Sequence, residues 1–177
     1  AKARALVQGG FHSRFTFDKA DDPEMVEINR RYDIGRDLTS AGAQAAMALQ
    51  AIKYDIAQAV TIEVTNGLDT HDDSWADDHA DVLGVGFRAL AQLVDDLASE
   101  PHPEGGTLLD RTTILAFSEF GRTATLNTRE GRDHSLANAC LLMGAGVPHN
   151  RVVGATTDVG MGPRLVDPGT GEAVSSG

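Results

Sequence analysis

The sequence predicts an α/β fold in which a mainly parallel central sheet is flanked by helices. Two observations favour this class: helical and β-prone segments alternate along the chain, and polar loops follow the β-prone segments. In open sheets of this kind, ligands bind beyond the carboxyl ends of the strands. The candidate strands are few for such a fold, so we expect the sheet to be incomplete. Residues 1–177 are interpreted as a single domain that ends in an irregular tail over about 155–177.

Three helices are predicted from their caps and their periodicity. The first is expected from Asp22 to about Asp33, because Asp, Pro and Glu follow one another at its start. The second follows Thr39 and Ser40 and is expected to continue to Tyr54, with apolar residues at helical spacing. The third is predicted from Trp75 to about Ser99, where an apolar stripe repeats every three or four residues.

Four segments are predicted to be strands. Ala59–Thr65 is β-branched and precedes an Asn-Gly turn, while Arg111–Phe117 is apolar enough for a central strand. Ala139–Met143 is a third candidate, and Arg151–Val153 is expected to form a short edge strand. Cys140 lies within the third of these apolar runs and is expected to be a buried small side chain.

Composition excludes several classes of partner. The net charge of −11 argues against binding to nucleic acid or to anionic membranes, since basic clusters that could neutralise phosphates are missing. No apolar run approaches the roughly 20 residues that span a bilayer. The single cysteine cannot form an internal disulfide, so it leaves the cellular compartment open.

Carboxylates and imidazoles cluster after the predicted strands. Asp69 and His71 are one residue apart and would face the same way in extended backbone. Glu119 ends an apolar strand, where a carboxylate needs a partner. Asp133 and His134 are adjacent, so one can ligate while the other orients its neighbour. Oxygen and nitrogen ligands from separate loops can hold a divalent metal ion, here zinc, calcium or magnesium.

Arg122 or Arg132 is a candidate for holding an anionic group of a substrate, because a guanidinium matches phosphate or sulfate oxygens. An alternative without metal is an ion pair between Arg122 and Glu119 that fixes the loop. Ser118 invites a serine-hydrolase interpretation, but glycines do not bracket it as a nucleophile elbow requires.

Several blocks, taken in order, resemble the family known as domain of unknown function 1501. The resemblance extends from about Tyr32 to Gly160. The matching blocks are Asp69-Thr70-His71, Phe117-Ser118-Glu119-Phe120-Gly121-Arg122-Thr123, Gly131-Arg132-Asp133-His134, Leu142-Met143-Gly144-Ala145-Gly146-Val147 and Arg151-Val152-Val153-Gly154.

That family is similar to the alkaline phosphatase and sulfatase superfamily, which implies metal ligands at strand ends. The resemblance places Asp69 and His71 on a first ligand loop, Glu119 on a second and His134 on a third. Phe120 stands where the superfamily has a histidine ligand, which implies either a site with one metal or a preference for harder ions. The superfamily's nucleophile lies on an early strand that this sequence lacks, so the chain resembles the C-terminal part of a larger protein. The resemblance also implies export to the periplasm, often by the twin-arginine route.

The leading hypothesis is therefore a metal-dependent hydrolase of phosphate or sulfate esters, with a small anionic ester as substrate. The metal would be held by Asp69, His71, Glu119 and His134, with Asp133 and Arg122 in catalytic support. A missing N-terminal portion would be a partner, and its absence would leave this fragment inactive. The alternative is an exported, non-catalytic protein that binds metal or serves structure and interaction.

Overall fold

The computed structural model describes residues 9–19 and 21–174. These residues form two compact units. The first unit contains residues 9–19, 21–68 and His79–Thr112, and the second contains Asp69–Asp78 and residues 113–174. Helices dominate the first unit, whereas short strands and loops make up most of the second.

The three predicted helices are confirmed. α1 spans Pro23–Arg31, and the Asp22 carboxylate caps it by accepting hydrogen bonds from the first backbone N–H groups. α2 spans Ala41–Lys53, and the hydroxyl of Ser40 accepts a hydrogen bond from a backbone N–H of its first turn. α3 spans Trp75–Ser99. Two short 3-10 segments, Phe11–Phe15 and Leu109–Arg111, complete the helical structure of the described residues.

Apolar faces of the helices form the core of the first unit. α1 buries Met25 and Ile28, α2 buries Leu49 among several alanines, and α3 buries Leu93 and Leu97. Burial of this kind contributes about 1.5–3 kcal/mol for each large side chain that leaves water. Among the described residues, no helix is both long and apolar enough to cross a membrane, in agreement with the sequence.

The predicted strand Ala59–Thr65 is wrong. All of its residues are described, and none of them pairs in a ladder. The backbone N–H of Glu63 instead donates to the side-chain oxygen of Gln44 at 2.9 Å. The carbonyl of Val64 lies so close to Gly86 of α3 that a Cβ there would overlap it. The β-branched residues favour extended backbone, but without a neighbouring strand the segment packs along a helix.

The predicted mainly parallel central sheet is also wrong. The described residues contain two separate two-stranded antiparallel sheets, one of β1 (Thr113–Phe117) with β4 (Cys140–Gly144) and one of β2 (Gly121–Arg122) with β3 (His134–Ser135). Parallel neighbours need a crossover connection, which is usually a helix. Between β1 and β4 the chain makes loops and a small ribbon instead, so it returns antiparallel.

The sheet of β1 and β4 is more exposed than the sequence predicted. Phe117 is 70% exposed, so β1 is not a buried central strand. Cys140 is exposed as well, which corrects the expectation of a buried thiol. The predicted edge strand Arg151–Val153 is irregular, although all three of its residues are described. The runs with high strand propensity form strands only where a partner strand pairs with them.

Candidate metal centre

The centre of the site is the carboxylate of Asp69, which belongs to the second unit. Its Oδ1 accepts a hydrogen bond from Nη2 of Arg122 at 2.6 Å. The same oxygen lies 2.7 Å from Nε2 of His134 and 3.1 Å from Nε2 of His71. One carboxylate oxygen therefore joins three side chains from three different segments of the chain.

The hydrogen bonds from His134 and Arg122 lower the pKa of Asp69 from its usual value to about 2. Both donors stabilise the ionised form of the carboxyl group, and the side chain is exposed enough that burial opposes them little. Asp69 is therefore a carboxylate at neutral pH, which is the form that binds metal ions.

His71 is held at both ring nitrogens. Its Nδ1 lies 2.9 Å from Oδ1 of Asp133, and Nε2 faces Asp69. The hydrogen bond with His71, followed by one from Asn127, lowers the pKa of Asp133. Asn127 donates from Nδ2 to Asp133 at 3.0 Å and to the backbone carbonyl of His71 at 3.1 Å. This arrangement fixes the plane of the His71 ring.

The short ribbon of β2 and β3 brings two of these side chains together. Arg122 lies opposite His134 in its register. The loop that joins the two strands passes the backbone of His71 at Gly131, where a Cβ would overlap the His71 carbonyl group. Only glycine fits this crossing, so Gly131 allows the Asp69–His71 segment to lie beside the ribbon.

Arg122 also anchors backbone around the site. Its Nη1 donates to the carbonyls of Thr70 at 3.3 Å and Arg132 at 2.9 Å. The Arg122 side chain is only 16% exposed. The guanidinium therefore ties together the Asp69 segment and the β3 side of the ribbon. Its predicted role in holding a substrate anion stays a prediction.

Three of the four predicted ligands come together. Asp69, His71 and His134 offer donor atoms that all lie within 4.8 Å of one another, so this group could hold a metal ion. Glu119 is exposed and lies outside this group. Its role as a ligand stays a prediction. Asp133 contacts His71 and therefore supports the group, but it is not one of the three residues that offer donor atoms.

A family model described as "Protein of unknown function (DUF1501)" matches residues 14–166. The chain belongs to the DUF1501 family. The match confirms the family that the sequence blocks indicated, and it spans all the residues of the site. Comparison of this DUF1501 chain with curated proteins and with solved structures finds no match.

Two residues of the DUF1501 site were missed by sequence reasoning. Asn127 bridges His71 and Asp133, but a single asparagine in a polar loop carries no signal of that contact. In the sequence, Phe120 shows only a departure from an expected histidine ligand. Its ring in fact stacks on His134, with 3.9 Å between ring centroids and 19° between planes.

Proposed function

We propose that Asp69, His71 and His134 bind a divalent metal ion and that this centre supports hydrolysis of phosphate or sulfate esters. The observation that carries the proposal is the convergence of one carboxylate and two imidazoles within 4.8 Å. The contact of Asp133 with the far nitrogen of His71 adds support, because metal-binding histidines usually have such a partner.

The donor set favours zinc among the predicted ions. Imidazole ligands suit zinc, whereas calcium and magnesium prefer oxygen ligands. Zinc–ligand distances of about 2.0–2.1 Å imply tetrahedral donors about 3.3 Å apart. Oδ1 of Asp69 and Nε2 of His134, now 2.7 Å apart, would need to separate by about 0.6 Å to reach this spacing. Small side-chain rotations provide this, since His134 is half exposed.

Three protein ligands leave a coordination position for water or substrate, as in catalytic zinc sites. The metal would polarise an ester oxygen or activate the attacking group. Asp133 holds the His71 ring, and Arg122 keeps Asp69 ionised and adds positive charge beside the centre. Kinship with the alkaline phosphatase and sulfatase superfamily and export from the cytoplasm belong to this proposal. If Glu119 also binds the ion, zinc must become five-coordinate when water or substrate enters, as catalytic zinc sites allow.

A second candidate is a non-catalytic protein that binds metal or serves a structural role. The hydrogen bonds of Arg122 favour it, because this guanidinium donates to Asp69 and to two backbone carbonyls. A group so fully engaged has little capacity left for a substrate anion.

The test combines zinc binding by calorimetry with turnover of aryl phosphate and aryl sulfate esters. His71→Ala and Glu119→Ala, alone and together, are compared with His149→Ala, an exposed histidine of the same unit, as the matched control. We expect stoichiometric zinc binding and ester turnover in the starting protein and the control, and loss of both in His71→Ala. Zinc binding without turnover selects the second candidate. Absence of zinc binding refutes the metal site in both candidates and leaves a structural arginine–carboxylate network.

A further inference from the structure

Phe120 lies against the two side chains that approach Asp69 most closely. Its ring stacks on His134 with 3.9 Å between centroids and an angle of 19° between the planes. The guanidinium carbon of Arg122 lies 5.2 Å from the centroid of the same ring. These are the distances of an aromatic stack and of a cation–π contact.

The backbone around Phe120 is itself held by hydrogen bonds. The hydroxyl of Ser118 donates to the carbonyl of Phe120 at 2.8 Å, and Nδ2 of Asn138 donates to the carbonyl of Ser118 at 2.5 Å. The ring is half-buried. It therefore provides a fixed surface next to the ribbon of β2 and β3.

Besides Phe120 and Asp69, His134 contacts the ring of His71, with 4.9 Å between ring centroids and 42° between the planes. The His134 side chain is 48% exposed, and His134 starts a strand of only two residues. The terminal torsion of a histidine is broad, so the ring needs a contact that fixes its plane. Phe120 provides that contact on one ring face, while Asp69 receives Nε2 at 2.7 Å.

We infer that Phe120 is a positioning residue, whose ring holds His134 with Nε2 directed at Asp69 and supports Arg122 on the same side. The inference deepens the proposed metal site and rests on it for its functional meaning. The residue that replaces an expected ligand thus orients a ligand instead. Loss of partners that orient ligands typically lowers metal affinity by about 10–100-fold.

The experiment uses the full chain and three variants. Phe120→Leu removes the stack, Phe120→Tyr keeps it, and Phe117→Leu changes an aromatic side chain of β1 that is 70% exposed, as the matched control. NMR measures the ring-proton shifts and the tautomer of His134 without metal, and calorimetry measures the dissociation constant for zinc. Circular dichroism checks that each variant is folded.

We expect Phe120→Leu to remove the ring-current shift of His134, to mix its tautomers and to weaken zinc binding by about tenfold or more. Phe120→Tyr and Phe117→Leu should behave like the starting protein. Unchanged His134 signals and zinc affinity in Phe120→Leu would overturn the inference. If Phe120→Leu does not fold, the test is made on the starting protein by NMR. We expect a nuclear Overhauser effect between the Phe120 and His134 rings, and its absence would overturn the inference.

The two proposals fail separately. A starting protein that binds no zinc, but whose His134 signals change in Phe120→Leu, refutes the metal site and keeps the positioning role. A starting protein that binds zinc equally well with leucine at position 120 keeps the metal site and refutes the positioning role.

Discussion

Oδ1 of Asp133 lies 2.9 Å from Nδ1 of His71. The contact selects which nitrogen of the ring faces the rest of the site, because the other nitrogen then points at Asp69. A carboxylate on the far nitrogen fixes the orientation of a metal-binding histidine and makes it a better ligand. The sequence predicted Asp133 as a support for the site, and this contact gives it the specific task of orienting His71.

Asp133→Ala should weaken zinc binding by about 10–100-fold, because His71 loses the group that orients it. Asp133→Asn should have a smaller effect, since the amide oxygen can still accept a hydrogen bond from Nδ1. Calorimetry with zinc measures both. Equal affinity in all three proteins would show that the Asp133 contact does not act on the site.

Gly131→Ala should disrupt the site, although Gly131 contributes no side chain to it. A Cβ at this position would overlap the backbone of His71, so the ribbon and the Asp69–His71 segment must separate. We expect lower thermal stability of the second unit and zinc affinity at least tenfold weaker. Gly84→Ala is the control, because it lies in α3 and its Cβ would approach only the end of the Arg88 side chain. Equal thermal stability and equal zinc affinity of the two variants would contradict the close contact between Gly131 and the backbone of His71.

Arg122→Gln should destabilise the folded second unit by roughly 1.5–3 kcal/mol, the usual value for hydrogen bonds to a charged group. The loss comes from the carbonyls of Thr70 and Arg132, which the shorter amide cannot reach together. Amide hydrogen exchange should become faster in β2 and β3. Arg151→Gln, at an exposed arginine of the same unit, is the control and should leave exchange unchanged.

The pKa of Asp69 predicts how the site responds to acid. Its folded-state pKa of about 2 lies below the value of about 3.9 for an unfolded chain. The contribution of Asp69 to stability is therefore fully present above the unfolded value and is lost as pH falls through about 2. NMR of the side-chain carboxyl carbon should give a midpoint near the folded value. His134→Ala should move it upward, and a midpoint near 3.9 in the starting protein would contradict the hydrogen-bond geometry.

The helices could be predicted because their signals are local. Asp22 and Ser40 cap α1 and α2 with their own side chains, and the apolar stripe of α3 repeats within one segment. Strand pairing is not local. Ala59–Thr65 has the composition of a strand but pairs with nothing among the described residues, and the antiparallel return of β4 depends on the path between it and β1.

The same distinction applies to the site. Asp69, His71 and His134 could be selected because few types of side chain bind metals. The strand expected to place Asp69 and His71 is absent from the described residues, so residue type carried this prediction. The contact of Phe120 with His134 depends on how the small ribbon presents both rings, and residue types alone do not encode that. The hydrogen bond from Asn127 to His71 could not be predicted for the same reason, because it forms only where the loop of Asn127 returns to His71.

The most direct test of the account is elemental analysis of the purified full chain, together with a variant in which His71 and His134 are both alanine. We expect about one divalent ion for each chain, zinc above all, and none in the variant. A metal-free protein that also takes up no zinc when the ion is supplied would contradict the account, and so would a variant that retains the ion.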